Sequence, residues 1–150
     1  MHNMDNVDHT VASFQQGFNC AQAIISVYGK QFRLNRETAL KLACGFRGGM
    51  RMAETCGAVT GAFMVIGLKH GQTSPRDKQS KEKTYRLVRE FADKFKPRNA
   101  SVVCRELLGC DISGPRGMKA AQQKDLFNTL CPKMVRDAAE ILEETLFKSG

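Results

Sequence analysis

Thr55-Cys56-Gly57-Ala58-Val59-Thr60-Gly61-Ala62-Phe63-Met64-Val65-Ile66-Gly67-Leu68-Lys69-His70-Gly71 is the stretch that decides the fold. It has a capping residue, an apolar run without strand-like alternation, and a glycine stop, which together predict a buried helix from Cys56 to about Lys69. Gly57 and Gly61 lie one turn apart on it. Each is costly in an exposed helix, by about 1 kcal/mol against alanine, so close approach by another backbone or by a cofactor is the expected compensation.

The same helical grammar extends outward in both directions. Val7, Val11, Phe14 and Phe18 draw an apolar stripe, and Gly17 then interrupts it. Asn19 with Gln22 makes a capping box that places Cys20 at the first helical position, ahead of Ala21, Ile24, Ile25 and Tyr28. Asn35 caps a short helix closed by Cys44, and the glycine-rich loop Gly45-Phe46-Arg47-Gly48-Gly49-Met50 follows. Downstream, Ser74-Pro75 predicts a helix start, and Tyr85, Val88, Phe91, Ala92 and Phe95 supply that helix's buried face, with Pro97 beyond its end. Ser101 is the expected cap of a short helix carrying Cys104 at its third position, with Gly109 ending it. A helix through Met118, Ala121, Leu126 and Leu130 precedes a new start at Cys131-Pro132, and Val135, Ala138, Ala139, Leu142 and Leu146 line the last one. The expectation is an all-α, single-domain multi-helix bundle over residues 1–150.

Four of the six cysteines, Cys20, Cys56, Cys104 and Cys131, fall at expected helix starts. Unpaired N–H groups and the helix dipole there favour thiolate over thiol, and thiolate is the form that attacks disulfides and binds metals. Four separate segments with this placement predict one cysteine-lined pocket at converging helix N-termini. No Cys-x-x-Cys is present, which excludes the thioredoxin-type motif and a zinc knuckle, and the absence of Cys-x-x-Cys-His argues against covalent c-type haem. The closely spaced ferredoxin patterns are absent too.

Three readings of the four sulfurs stay open. They hold an iron–sulfur cluster or another thiolate-bound metal; they cycle as redox thiols between dithiol and disulfide; or each is a small buried hydrophobe in its own interface. Cys44, at a helix end, and Cys110, in a loop, read as spectators, although Cys110 stands close enough in sequence to Cys104 to resolve it. His9 and His70 are weaker ligand candidates. Arg47 and Arg51 flank Gly48-Gly49 and are candidates for balancing an anionic centre, but no Gly-Lys-Ser/Thr follows to make a P-loop.

The net charge is +8, with much of the excess between Pro75 and Arg98. A solvated helix face explains that run. Aromatics do not interleave with it, which argues against a nucleic-acid platform, although a basic binding module remains the alternative from another class. The longest apolar run, Ala62 to Leu68, falls well short of the roughly 18 residues of a membrane span. Without a charged n-region and apolar h-region at the start, the expected location is the cytoplasm, where six cysteines are expected to be catalytic, metal-binding or buried and not a disulfide framework. The apolar helices around 57–68 and 135–146 offer face enough for a homodimer.

Cys56-Gly57-Ala58-Val59-Thr60-Gly61 resembles the signature of the C-GCAxxG-C-C family. Gly17-Phe18-Asn19-Cys20-Ala21-Gln22, the loop 45–50, Cys104-Arg105-Glu106-Leu107-Leu108-Gly109 and Cys131 resemble that family's remaining segments in order, over about residues 10–147. Arg47 stands where the family loop commonly has glycine. The resemblance implies an all-helical domain with signature cysteines Cys20, Cys56, Cys104 and Cys131. It also implies a redox role, inferred for the family mainly from those cysteines. The expected function is redox chemistry or electron transfer at that site, with a redox partner protein.

Overall fold

A computed structural model describes residues 4–147. The chain runs as α1 (Met4–Gln15), α2 (Cys20–Tyr28), α3 (Arg36–Ala43), α4 (Gly57–His70), α5 (Lys78–Asn99), α6 (Cys104–Leu108), α7 (Pro115–Gln123), α8 (Leu126–Thr129) and α9 (Cys131–Leu142). A wider turn over Glu143–Phe147 continues α9. The fold is all-α. An isolated antiparallel bridge joins Thr55 to Val103. Among the described residues no helix is long and apolar enough to cross a membrane.

The tightest feature is the crossing of α2 over α4. A Cβ at Gly61 would stand 3.0 Å from Ala21 Cα and 3.1 Å from Ala21 O, and one at Gly57 would stand 3.2 Å from the Cys20 Cβ. Backbone contact of this kind is what the two glycines permit. Ile24, Ile25 and Tyr28 of α2 and Val59, Ala62, Val65 and Ile66 of α4 form the centre of the core. Phe91 and Phe95 of α5 close one side, with Phe91 meeting Phe63 edge-on at 5.9 Å. Val135, Ala138, Ala139, Ile141 and Leu142 of α9 close another. Thus much of the apolar surface of 57–68 and 135–146 lies inside the chain's own core. A second, smaller cluster gathers Ala53, Cys104, Leu108, Ile112 and Ala121.

Polar groups fix the remaining angles. Asn19 caps α2 by accepting from Gln22 N at 2.7 Å, and Gln22 accepts from Asn19 N at 3.0 Å in return. The Asn19 amide also donates to Ala43 O and Cys44 O, which ties the start of α2 to the end of α3. At the far end of α5, Arg98 and Asn99 donate to the buried Asp137 of α9.

Several expected boundaries shift. Helix α5 starts at Lys78, because the Asp77 carboxylate accepts from Ser80 N at 3.0 Å, while Ser74 serves a separate turn just before it. Pro97 lies inside α5, in its last turn, where the missing N–H forfeits one hydrogen bond and the helix still closes through Ala100 N to Lys96 O at 2.6 Å. The run 118–130 is broken at Asp125, whose φ of 54° is left-handed, so α7 and α8 are separate. Ser101 does not cap α6. It accepts from Val103 N and donates to Glu106, and Cys104 becomes the first residue of the helix. Cys56 is the cap of α4 where Thr55 was expected.

Candidate functional site

Four elements deliver the four cysteines. Cys20 opens α2 and Cys131 opens α9, with Pro132 in its first turn. Cys56 and Cys104 are brought side by side by the pairing around the Thr55–Val103 bridge, where Cys56 N donates to Val102 O at 2.8 Å and Cys104 N donates to Glu54 O at 2.5 Å. All four line one cavity of about 50 Å³ at the seam between the main core and the smaller cluster. That volume exceeds what a single water needs and suits a small reacting group. Arg47, Gly48, Gly49, Arg51 and Gly57 contribute to its wall.

The loop carrying the arginines turns left-handed. Gly48, Gly49, Met50, Arg51 and Ala53 have φ between 55° and 62°. Such a conformation costs roughly 1–2 kcal/mol at each non-glycine residue, so other contacts must hold it. Arg105 does so from α6, donating to Ala53 O at 3.2 Å and to Glu54 Oε1 at 2.7 Å. Gly49 can only be glycine, since a Cβ there would fall 2.4 Å from Glu54 N.

The sulfurs differ in their electrostatics. The Cys20 thiol interacts with both Cys131 and Cys56, and these contacts, with burial, raise its pKa well above the ordinary thiol value. Donation from Cys20 in turn lowers the pKa of Cys56, against the opposing effect of burial, and the amides of Ala58 and Val59 at the start of α4 lower it further. Of this pair Cys56 therefore ionises more readily, and Cys20 holds its proton more firmly. Burial, followed by the neighbouring Cys56 and Cys131 charges, pushes Cys104 up to about 12. The helix start thus helps to favour the anion at Cys56. At Cys20 and Cys104 the proximity of other sulfurs and the loss of solvent outweigh the dipole.

This asymmetry carries a pH signature. Between the ordinary thiol value of 9.0 and about 12, Cys104 is neutral when folded and ionised when unfolded. The unfolded chain then binds fewer protons, so the stability from neutral Cys104 is complete below pH 9 and declines as pH rises toward about 12. Urea midpoints measured across that window should fall less steeply in Cys104→Ala than in the parent chain.

The other sequence candidates lie elsewhere. Cys44 is exposed, and Cys110 is half-buried with its thiol 3.8 Å from Leu108 O; neither lines the cavity. His9 is exposed on α1, and His70 lies in a groove with Lys69 and Lys83. Among the described residues, no group of three or more His, Cys, Asp or Glu is placed to hold a metal ion. Reading from sequence missed the apolar wall formed by Leu107, Ile112, Met118, Phe127 and Met134. Part of it had a signal: Leu107 and Met134 each follow a site cysteine by one helical turn.

Searches of curated proteins and of solved structures find no match. A family model described as "Putative redox-active protein (C_GCAxxG_C_C)" matches residues 18–145, a span that holds all four cavity cysteines and both arginines. The chain belongs to the C_GCAxxG_C_C family.

Proposed function

We propose that the chain is a thiol–disulfide oxidoreductase working through Cys56 and Cys20. The observation that carries this is the contact between the Cys56 and Cys20 sulfurs inside one cavity, where donation from Cys20 favours ionisation of Cys56. In the reducing direction, Cys56 Sγ attacks one sulfur of a disulfide substrate. The substrate S–S bond breaks, one thiolate leaves and takes a proton from solvent, and a mixed disulfide forms on Cys56. The negative charge on Cys56 has then gone, and with it part of what held the Cys20 proton. Cys20 ionises, attacks Cys56 Sγ and expels the second thiolate, which takes up the proton that Cys20 released. Two electrons pass to the substrate and a Cys20–Cys56 disulfide remains. A dithiol donor, such as a partner redox protein in a reducing cytoplasm, reverses the sequence. Cys131 also interacts with Cys20 and offers that sulfur a second partner, and neutral Cys104 completes the wall.

A second reading is an iron–sulfur cluster or another metal on Cys20, Cys56, Cys104 and Cys131. The sharing of one cavity by all four favours it, but the sulfurs would have to close in from where they stand. Anaerobic purification separates the two. The thiol reading expects a colourless protein without stoichiometric iron, zinc or sulfide, whose titratable thiols fall by one pair on mild oxidation. Brown protein with matched iron and sulfide, and no loss of thiols, would overturn it.

A further inference from the structure

The sulfur cavity does not stand alone. A larger surface groove of about 290 Å³ adjoins it and shares Phe14, Arg47 and Phe127 with its lining. Beyond those shared residues the groove is polar as well as apolar, with Gln15 and Asn128 on its sides. Arg47 is exposed and stands at the junction. Arg51 is exposed on the cavity lip. Among the described residues neither arginine is engaged by a carboxylate, and the charge of each stays unneutralised. The two compartments differ in kind: the inner one is small and holds the reacting sulfurs, and the outer one is roomy and carries amide groups and unneutralised positive charge.

Resting on the thiol–disulfide reading above, we infer that the substrate is a low-molecular-weight disulfide of a carboxylate-bearing, peptide-like thiol. Its reacting sulfur enters the inner cavity toward Cys56, its chain lies in the groove within reach of Gln15 and Asn128, and Arg47 pairs with its carboxylate. A guanidinium suits this task because its planar fork matches a carboxylate. The redox balance is that of the proposed reaction: the protein dithiol loses two electrons and two protons, and the disulfide becomes two thiols. A protein disulfide would bring bulk that the inner cavity does not admit and is the rival outcome.

The test compares three probe disulfides on the fully reduced chain: oxidised glutathione, which is anionic, hydroxyethyl disulfide, which is neutral, and cystamine, which is cationic. The readout is the rate of Cys20–Cys56 disulfide formation. Oxidised glutathione is expected to react about tenfold or more faster than cystamine, relative to their rates with a free model thiol. Arg47→Glu should lower the glutathione-to-cystamine rate ratio by about tenfold or more, and Arg47→Lys should restore part of it. Lys83→Glu makes the same charge change on α5, away from both compartments, and should leave the ratio alone. Equal rates for anionic and cationic probes, a ratio indifferent to Arg47, or a strong preference for a disulfide-bonded protein over all three probes would overturn the inference and leave the thiol chemistry standing. Failure of every disulfide, small or protein, to form the Cys20–Cys56 bond would instead overturn the underlying reading.

Discussion

Cys56→Ser should reduce the rate of disulfide reduction by on the order of 10³-fold or more, the scale on which loss of a catalytic nucleophile is felt. A serine hydroxyl in this place has neither the sulfur nor the accessible anion. Helicity should change little, since Cys56 is a small residue whose backbone N–H to Val102 O bond survives the substitution. Cys20→Ser predicts a different phenotype. The first attack proceeds, but nothing resolves the product, so a mixed disulfide should accumulate on Cys56 and be visible as a mass adduct. Cys44→Ser, on an exposed sulfur outside the cavity, should behave as the parent. If Cys56→Ser retained the parent rate, or Cys20→Ser gave complete turnover, the roles assigned to the two sulfurs would be wrong.

The second large effect is structural. Gly49→Ala should destabilise the fold by about 3 kcal/mol, combining a left-handed φ with overpacking against backbone. Its new Cβ would meet Glu54 N at 2.4 Å and Glu54 O at 2.7 Å, and neither atom can step aside as a flexible side chain would. Glu54 is also the residue whose carbonyl accepts from Cys104 N, so the same substitution should displace Cys104 from the cavity. Two glycine variants calibrate this expectation. Gly67→Ala has open space and a helical backbone within α4, and should stabilise by about 0.5–1 kcal/mol. Gly17→Ala has open space but a φ of +117°, so it should cost only the conformational part. Thermal or urea unfolding of the three variants gives the order directly. A Gly49→Ala variant as stable as the parent would mean that the turn is not built as described.

Much of this arrangement was legible in the chain. Asn19 and Gln22 announced the α2 start, and both predicted hydrogen bonds form. The pair Gly57 and Gly61 announced a close approach, and the backbone that approaches is that of α2 around Ala21. The four cysteines chosen by their expected positions do line one cavity. Three things were hidden, each for a physical reason. The left-handed path of residues 48–53 is carried partly by Met50, Arg51 and Ala53, which have no intrinsic preference for it, and its Ala53 end is held by Arg105 from a distant segment. The bridge between Thr55 and Val103 is too short to leave an alternating pattern. The order of the thiol pKa values depends on which sulfur faces which, and helix position alone carries no such information. The shifted start of α5 has a simpler cause, since Asp77 competes with Ser74 for the capping role and its carboxylate accepts from Ser80 N.

The account turns on Cys20 and Cys56 being redox partners within one cavity, and peptide mapping by mass spectrometry tests that most directly. The fully reduced chain is oxidised with a single equivalent of a neutral disulfide, quenched with acid, alkylated and digested without reduction. A peptide pair joining Cys20 to Cys56, formed before any other bond, is the predicted result. A first bond confined to Cys44 or Cys110, with the four cavity sulfurs still alkylated as free thiols, would contradict it.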